Sequence, residues 1–140
     1  MSARFFLDTN VFVYSLDGSA PEKARRATQL VRQALATGNG IVSYQVVQEF
    51  FNVAFRRFTP PMTLAEAEQY LATVFRPLLA VQASYALYAE ALHLRHRYRI
   101  SWYDSLIVAA AVEAECKTLY SEDLNHGQKF GPLQVQDPFR

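Results

Sequence analysis

Cysteine is scarce in this sequence and long apolar runs are missing, and each scarcity excludes a class of protein. Cys116 is the one cysteine in 140 residues, so an internal disulfide is excluded and a reducing compartment is expected. No apolar stretch approaches the roughly 18 residues that a membrane helix needs. The N-terminal residues 1–4 lead directly into a short apolar run ended by Asp8, so we expect no signal peptide. These absences predict a soluble, cytoplasmic protein without a membrane segment.

Internal repeats, low-complexity tracts and Gly/Ser linkers are absent as well. The composition, 51% hydrophobic and 19% charged residues, is that of an ordinary globular protein. A chain of 140 residues is long enough to bury a substantial core. We therefore predict a single domain over residues 1–140.

The net charge is only +1, which excludes a strongly basic protein of the histone or ribosomal kind. Most of the positive charge is arginine, whose planar fork suits phosphate groups. Solvated helix faces with local ion pairs explain the arginine clusters equally well, so the clusters permit nucleic-acid binding without establishing it. The candidate phosphate contacts are Arg56, Arg57, Arg97 and Arg99.

Strand-like and helical segments alternate along the chain, which predicts a parallel sheet covered on both faces. Capping boxes are predicted at residues 19–22 and 63–66, and Pro77 is expected to separate a helix from the third strand. The predicted strands span residues 4–8, 40–43, 78–82 and 118–121, with a short edge strand at 133–135. The fold class that follows is α/β, a three-layer α/β/α sandwich with a central parallel sheet.

Four acidic residues stand beside apolar segments, where an uncompensated carboxylate is costly. Asp8 ends the first predicted strand and Asp123 follows the fourth. Glu49 lies about one turn into the helix after the second strand, and Asp104 lies in the first turn of its helix, where the helix dipole favours an anion. Because parallel sheets bind ligands outside the carboxyl ends of their strands, the four are expected to converge on one rim.

Each of these carboxylates taken alone has an ordinary structural explanation. Asp8 suits a turn, Asp104 a helix cap with Ser101, and Asp123 a polar turn in which Glu122 competes for its role. These explanations do not predict convergence, whereas a cation site does. Oxygen ligands without a Cys/His set indicate Mg²⁺ or Mn²⁺, not zinc. The pattern therefore predicts a metal-dependent nuclease.

Four segments together resemble the PIN-domain ribonucleases, and most closely the VapC toxins of toxin–antitoxin pairs. They are FFLDTN (5–10), SYQVVQE (43–49), YDSLIVAAA (103–111) and LYSED (119–123). The resemblance extends over nearly the whole chain, from the first strand to the last. Residues 125–128 are less typical of the family, and the resemblance gives them no role.

The resemblance implies a Mg²⁺- or Mn²⁺-dependent endonuclease specific for single-stranded RNA, leaving 5′-phosphate and 3′-hydroxyl ends. It also implies a homodimer and a small antitoxin partner whose tail enters the active-site groove. Asn10 and Ser121 match supporting polar positions, although the second is commonly threonine. The residues that match the catalytic and metal-binding acidic positions are Asp8, Glu49, Asp104 and Asp123.

Three other functions compete with this one. A phosphatase with an aspartyl nucleophile would need a second aspartate where the chain has Asn10, and a phospho-receiver would need an acid near Gln82. A catalytically degenerate PIN-fold module that binds RNA or protein remains open. Against it, buried like charges are costly to retain without a cation.

Overall fold

The computed structural model describes residues 3–140, in which six strands form one sheet. Met1 and Ser2, the start of the segment in which no signal peptide was predicted, lie outside the described residues. The spatial order is β3-β2-β1-β4-β6-β5, and all neighbours are parallel except β5 and β6. The strands are β1 (Phe5–Leu7), β2 (Gly40–Ser43), β3 (Leu79–Val81), β4 (Thr118–Tyr120), β5 (Lys129–Phe130) and β6 (Leu133–Gln136).

Helices connect the strands and cover the sheet. Every residue of β1 and β2 is buried, and because successive side chains point to opposite faces, both faces must be covered. The predicted α/β class is confirmed. Among residues 3–140 no helix is long and apolar enough to cross a membrane. The helices are α1 (Thr9–Ser15), α2 (Pro21–Thr37), α3 (Tyr44–Arg56), α4 (Leu64–Tyr70), α5 (Arg76–Leu78), α6 (Tyr85–Tyr98) and α7 (Trp102–Glu113), with a π-helical segment at Leu71–Phe75.

One of the two predicted capping boxes is confirmed and the other is wrong. Thr63 Oγ1 accepts a hydrogen bond from the Glu66 backbone N–H at 3.2 Å, and the Glu66 carboxylate accepts one from the Thr63 N–H at 2.9 Å. At α2, however, the N-cap is Ala20, and Ser19 instead donates its hydroxyl to Asp17 at 2.6 Å. The acid two residues before Ser19 competes successfully for its side chain.

Two further expectations are corrected near the later strands. Pro77 does not lie between a helix and a strand, because it lies within α5, which continues the π-helical segment Leu71–Phe75 without a break. The strand β3 begins two residues after Pro77. The C-terminal strand β6 is not at the edge of the sheet, since it lies between β4 and β5. The strand at that edge is β5, whose two residues are too few to show a strand pattern.

An aromatic cluster packs α1, α3 and the π-helical segment against one another. Phe50 of α3 packs 5.2 Å from Phe75, measured between ring centroids, and Phe12 of α1 packs 5.0 Å from Phe75. All three side chains are fully buried. The cluster therefore fixes α1 and α3, the two helices that follow the carboxyl ends of β1 and β2.

Candidate active site at the carboxyl rim of the sheet

Asp8 is a buried carboxylate at the end of β1, where it forms the N-cap of α1. One oxygen accepts a hydrogen bond from the Thr9 backbone N–H at 2.7 Å, and the other accepts one from the Ser121 hydroxyl at 2.8 Å. Burial raises the pKa of Asp8 to about 7 despite these two hydrogen bonds, and the charges of Asp123 and Glu49 add to the rise. The side chain is therefore poised between its charged and neutral forms near neutral pH.

Glu49 lies in the second turn of α3 and is held by two side chains. The Thr9 hydroxyl donates to Oε2 at 3.0 Å, and the Gln45 amide donates to Oε1 at 2.7 Å. The same Gln45 nitrogen also donates to the Tyr103 carbonyl at 3.2 Å. The buried Gln45 side chain thus connects Glu49 to the start of α7, next to Asp104.

Asp104 and Asp123 complete the predicted acidic set. Asp104 lies in the first turn of α7, whose N-cap Ser101 accepts a hydrogen bond from the Asp104 N–H at 3.1 Å. Asp123 follows β4, and its N–H donates to the Ser121 hydroxyl at 3.2 Å. Partial removal from solvent raises the pKa of Asp123, and the charges of Asp104, Glu122 and Glu49 raise it further. Asp123 therefore lies within the electric field of its acidic neighbours.

The structure thus places all four predicted carboxylates at one rim, but not in a compact coordination cluster. Within residues 3–140, no three Asp, Glu, His or Cys side chains are close enough together to hold one metal ion. Repulsion between like charges opposes a closer approach when no cation compensates them. The donor chemistry itself, carboxylate oxygens with supporting hydroxyl and amide groups, fits Mg²⁺ or Mn²⁺.

The two predicted supporting residues lie beside these carboxylates. Ser121 contacts both Asp8 and Asp123, as given above. The Asn10 amide donates to Glu122 Oε1 at 3.4 Å and to Asp123 Oδ1 at 3.5 Å. Asn10 therefore bridges two adjacent acidic side chains.

The four predicted arginines lie elsewhere on the surface. Arg56 and Arg57 are exposed at the C-terminal end of α3, and Arg57 lines a cleft of about 670 Å³ that it shares with Val13 and Phe58. Arg97 and Arg99 are exposed at the end of α6, with the Arg97 guanidinium 5.2 Å from the Tyr98 ring centroid. In the described part of the chain, none of the four is paired with a rim carboxylate.

Several polar residues of the rim were not predicted from the sequence. Gln45 precedes Glu49 by four residues, a spacing that places both side chains on one helix face. That spacing is a sequence signal by which Gln45 could have been predicted as a partner of Glu49. Thr9 adjoins Asp8 but gives no separate signal. Tyr14 and Lys23, which contact Glu122 at 2.7 and 3.4 Å, lie on other helices, and no local sequence pattern connects them to the acidic residues.

The comparisons with known proteins agree with this architecture. The family model of the PIN domain matches residues 5–129. The crystal structure of VapC20 from Mycobacterium tuberculosis, described as a sarcin–ricin loop cleaving toxin, superposes with a TM-score of 0.59 at 21% identity, over 84% of this chain and 88% of that one. At that identity the likeness shows a shared fold. No curated protein sequence matches the chain. Because the family model spans most of its length, the chain belongs to the PIN domain family, as its sequence motifs predicted.

Proposed function

We propose that this chain is a Mg²⁺- or Mn²⁺-dependent endoribonuclease that cleaves RNA phosphodiesters at the rim formed by Asp8, Glu49, Asp104 and Asp123. One observation carries the proposal: the buried Asp8 carboxylate, with its pKa raised to about 7, lies within the field of Asp123 and Glu49. A buried carboxylate without a cationic partner is costly. A bound divalent cation would remove that cost, and the PIN family membership supplies the corresponding activity.

The metal ligands in this proposal are Asp8, Asp104 and Asp123, with Glu49 binding directly or through water. When bound, the cation would lower the pKa of a coordinated water and stabilise charge that develops on the phosphodiester. The neighbouring polar groups hold the acidic side chains. Thr9 and Ser121 fix the two oxygens of Asp8, and Gln45 with Thr9 fixes those of Glu49.

The biological setting is proposed from the family and from the fold likeness to a VapC toxin. In this proposal the chain is one PIN-like domain over residues 1–140 that acts as the toxin of a toxin–antitoxin pair in the cytoplasm. It would form a homodimer and bind a small antitoxin protein. Its RNA would contact some of the exposed arginines at positions 56, 57, 97 and 99.

The test is a cleavage assay on a mixed panel of structured RNAs. The purified protein is incubated with Mg²⁺ or Mn²⁺, with an EDTA control, beside Asp8→Asn and a control variant, Glu68→Gln, at an exposed carboxylate of α4. We expect metal-dependent cleavage by the wild type and by Glu68→Gln, and none by Asp8→Asn. Full activity in the Asp8→Asn protein would contradict the assignment of the site.

A catalytically degenerate PIN-fold module that binds RNA or protein is the second candidate. It is favoured by the lack of a compact acidic cluster among residues 3–140. Melting curves with and without Mn²⁺ separate the two candidates. A metal-dependent rise in melting temperature supports the nuclease even when the RNA panel lacks its substrate. Neither cleavage nor a metal-dependent rise supports the binding module.

A further inference from the structure

Glu122, the neighbour of Asp123 in sequence, is held by three side chains from two helices. The Tyr14 hydroxyl donates to Oε1 at 2.7 Å, and the Asn10 amide donates to the same oxygen at 3.4 Å. The Lys23 ammonium lies 3.4 Å from the other oxygen, Oε2. Both carboxylate oxygens therefore have partners within the protein, as those of Asp8 and Glu49 do. What distinguishes Glu122 from the proposed metal ligands is that one of its partners is a cation, Lys23.

Lys23 is itself fixed by aromatic rings. Its ammonium donates to the Tyr14 hydroxyl at 3.3 Å and lies 4.5 Å from the Tyr14 ring centroid and 5.6 Å from that of Phe139. The Tyr14 and Phe139 rings meet edge to face, with their centroids 4.9 Å apart. Attraction between an ammonium and aromatic faces holds the flexible lysine side chain against Glu122.

The C-terminal tail places Phe139 in this arrangement, and residues 125–128 anchor the tail. The Asp137 N–H donates to His126 Nδ1 at 3.1 Å, and the Asp137 carboxylate accepts a hydrogen bond from the Phe139 N–H at 3.0 Å. Gly127 donates its N–H to the Val135 carbonyl at 2.9 Å. The segment that the family resemblance left without a role thus connects the tail to the rim.

Stability alone gives little reason for this arrangement. The Lys23 side chain is 42% exposed and that of Glu122 is 21% exposed, and ion pairs with so much solvent contact contribute little to the free energy of folding. Its local effect is on Asn10. The Asn10 amide donates to both Glu122 and Asp123, so it is a shared donor to two adjacent carboxylates whose mutual repulsion contributes to the raised pKa of Asp123.

We infer that Glu122 is a positioning residue: Tyr14 and Lys23 hold its carboxylate, and it fixes the Asn10 amide against Asp123 so that Asp123 can receive a divalent cation. The inference rests on the proposed function, because it concerns the same acidic rim. Groups that orient metal ligands from outside the coordination sphere typically affect metal affinity or activity by about 10- to 100-fold. Glu122 does not bind the cation itself in this arrangement.

The test compares substitutions that remove the hydrogen bonds with one that keeps them. Glu122→Ala removes the acceptor, while Glu122→Gln combined with Lys23→Met keeps an oxygen acceptor for Tyr14 and Asn10 without the charge pair. Mn²⁺ affinity is measured by electron paramagnetic resonance of the free ion, and kcat and KM are measured with RNA. Glu68→Ala, on the exposed face of α4, is the matched control.

We expect Glu122→Ala to weaken Mn²⁺ binding by about 10-fold and to lower kcat to a similar extent, with KM for RNA unchanged. The double variant should retain Mn²⁺ affinity close to that of the wild type. Wild-type Mn²⁺ affinity in Glu122→Ala would overturn the inference. An equal loss of Mn²⁺ affinity in the double variant would also overturn it, because the negative charge of Glu122, and not its hydrogen bonds, would then determine the affinity.

The same measurements separate this inference from the proposed function. Wild-type protein that neither binds Mn²⁺ nor cleaves RNA refutes the proposed function and this inference with it. Wild-type binding with an unaffected Glu122→Ala refutes the inference alone. If Glu122→Ala melts below the assay temperature, Tyr14→Phe decides, since it removes only the hydroxyl that donates at 2.7 Å. Unchanged Mn²⁺ affinity in Tyr14→Phe then counts against the inference.

Discussion

Asp8 makes the folded protein sensitive to pH at a single residue. Its pKa is about 7 in the folded protein, against an ordinary value of 3.8, chiefly because the side chain is buried. The folded state therefore binds more protons than the unfolded state between about pH 4 and pH 7, and the free energy of unfolding falls as the pH rises through that range. The loss is complete above pH 7 and on the order of 4 kcal/mol at most, at about 1.4 kcal/mol per pH unit.

Replacing Asp8 by asparagine should remove this loss. We expect metal-free Asp8→Asn to melt at a higher temperature than the wild type at pH 8 but not at pH 4, where the wild-type carboxyl is already protonated. Calorimetry of both proteins at the two pH values measures the difference, with Glu68→Gln as a control for loss of an exposed charge. A gain of equal size at both pH values would show that burial of the Asp8 charge is not its cause.

Residue chemistry explains why the acidic rim and two of its polar neighbours, Asn10 and Ser121, were predictable while Lys23 was not. A carboxylate beside an apolar segment is costly to bury, so its presence there indicates a function, as it does for Asp8 after Phe5–Leu7. Lys23 gives no such signal, since an exposed lysine on a helix is ordinary. Its contact with Glu122 joins residues 99 positions apart, and only the folded arrangement of α2 beside the end of β4 reveals it.

At the scale of elements, α2 and β2 approach each other closely where Ala34 meets Gly40, and only a residue without a side chain fits there. A methyl group added at Gly40 would lie 2.7 Å from the Ala34 Cα, and closer still to the Ala34 Cβ. Gly40 and Ala34 are both buried, and a backbone atom cannot turn aside as a flexible side chain can. Glycine is therefore required here by the distance between the helix and the strand, not by an unusual backbone angle.

Gly40→Ala should accordingly force α2 away from the sheet. We expect it to lower the free energy of unfolding by about 1–3 kcal/mol, the usual range for overpacking a close contact. Gly18→Ala is the matched control, since nothing lies within 4 Å of a methyl group there. Urea denaturation followed by circular dichroism gives both values. Equal stability in the two variants would show that α2 shifts without cost.

The elements that sequence predicted and those it missed differ in how local their causes are. The start of α4 depends on Thr63 and Glu66 alone, so the capping pattern sufficed. Ser19 shows the same pattern, but its hydroxyl donates a hydrogen bond to Asp17 instead. A capping motif does not include the residues before it, so it cannot predict that competing acceptor. The inner position of β6 depends on pairing with β4 across the sheet, which apolar spacing within a tail of the chain does not encode.

At the scale of the whole molecule, charge is distributed unevenly around a nearly neutral total of +1. The four candidate metal ligands lie at the rim of the sheet, while the four candidate arginines lie at the ends of α3 and α6. An RNA backbone approaching the proposed site meets like charge there, so its attraction must come from cations bound at the rim or from arginines farther along its path. The arginine pair at the end of α3 and the pair at the end of α6 therefore define two alternative paths for the RNA backbone.

Salt dependence distinguishes these paths, because each phosphate contact adds a fixed increment to it. For single-stranded RNA, the slope of log affinity against log salt concentration is about −0.7 per contact, so losing two contacts should reduce its magnitude by about 1.4.

Binding is measured in the Asp8→Asn background, where we expect no cleavage. Arg56→Gln with Arg57→Gln tests the α3 path, and Arg97→Gln with Arg99→Gln tests the α6 path. Arg25→Gln with Arg32→Gln, exposed on α2, controls for net charge. The pair whose loss flattens the slope beyond this control lies along the RNA, and equal slopes in all three would mean that RNA contacts none of these arginines.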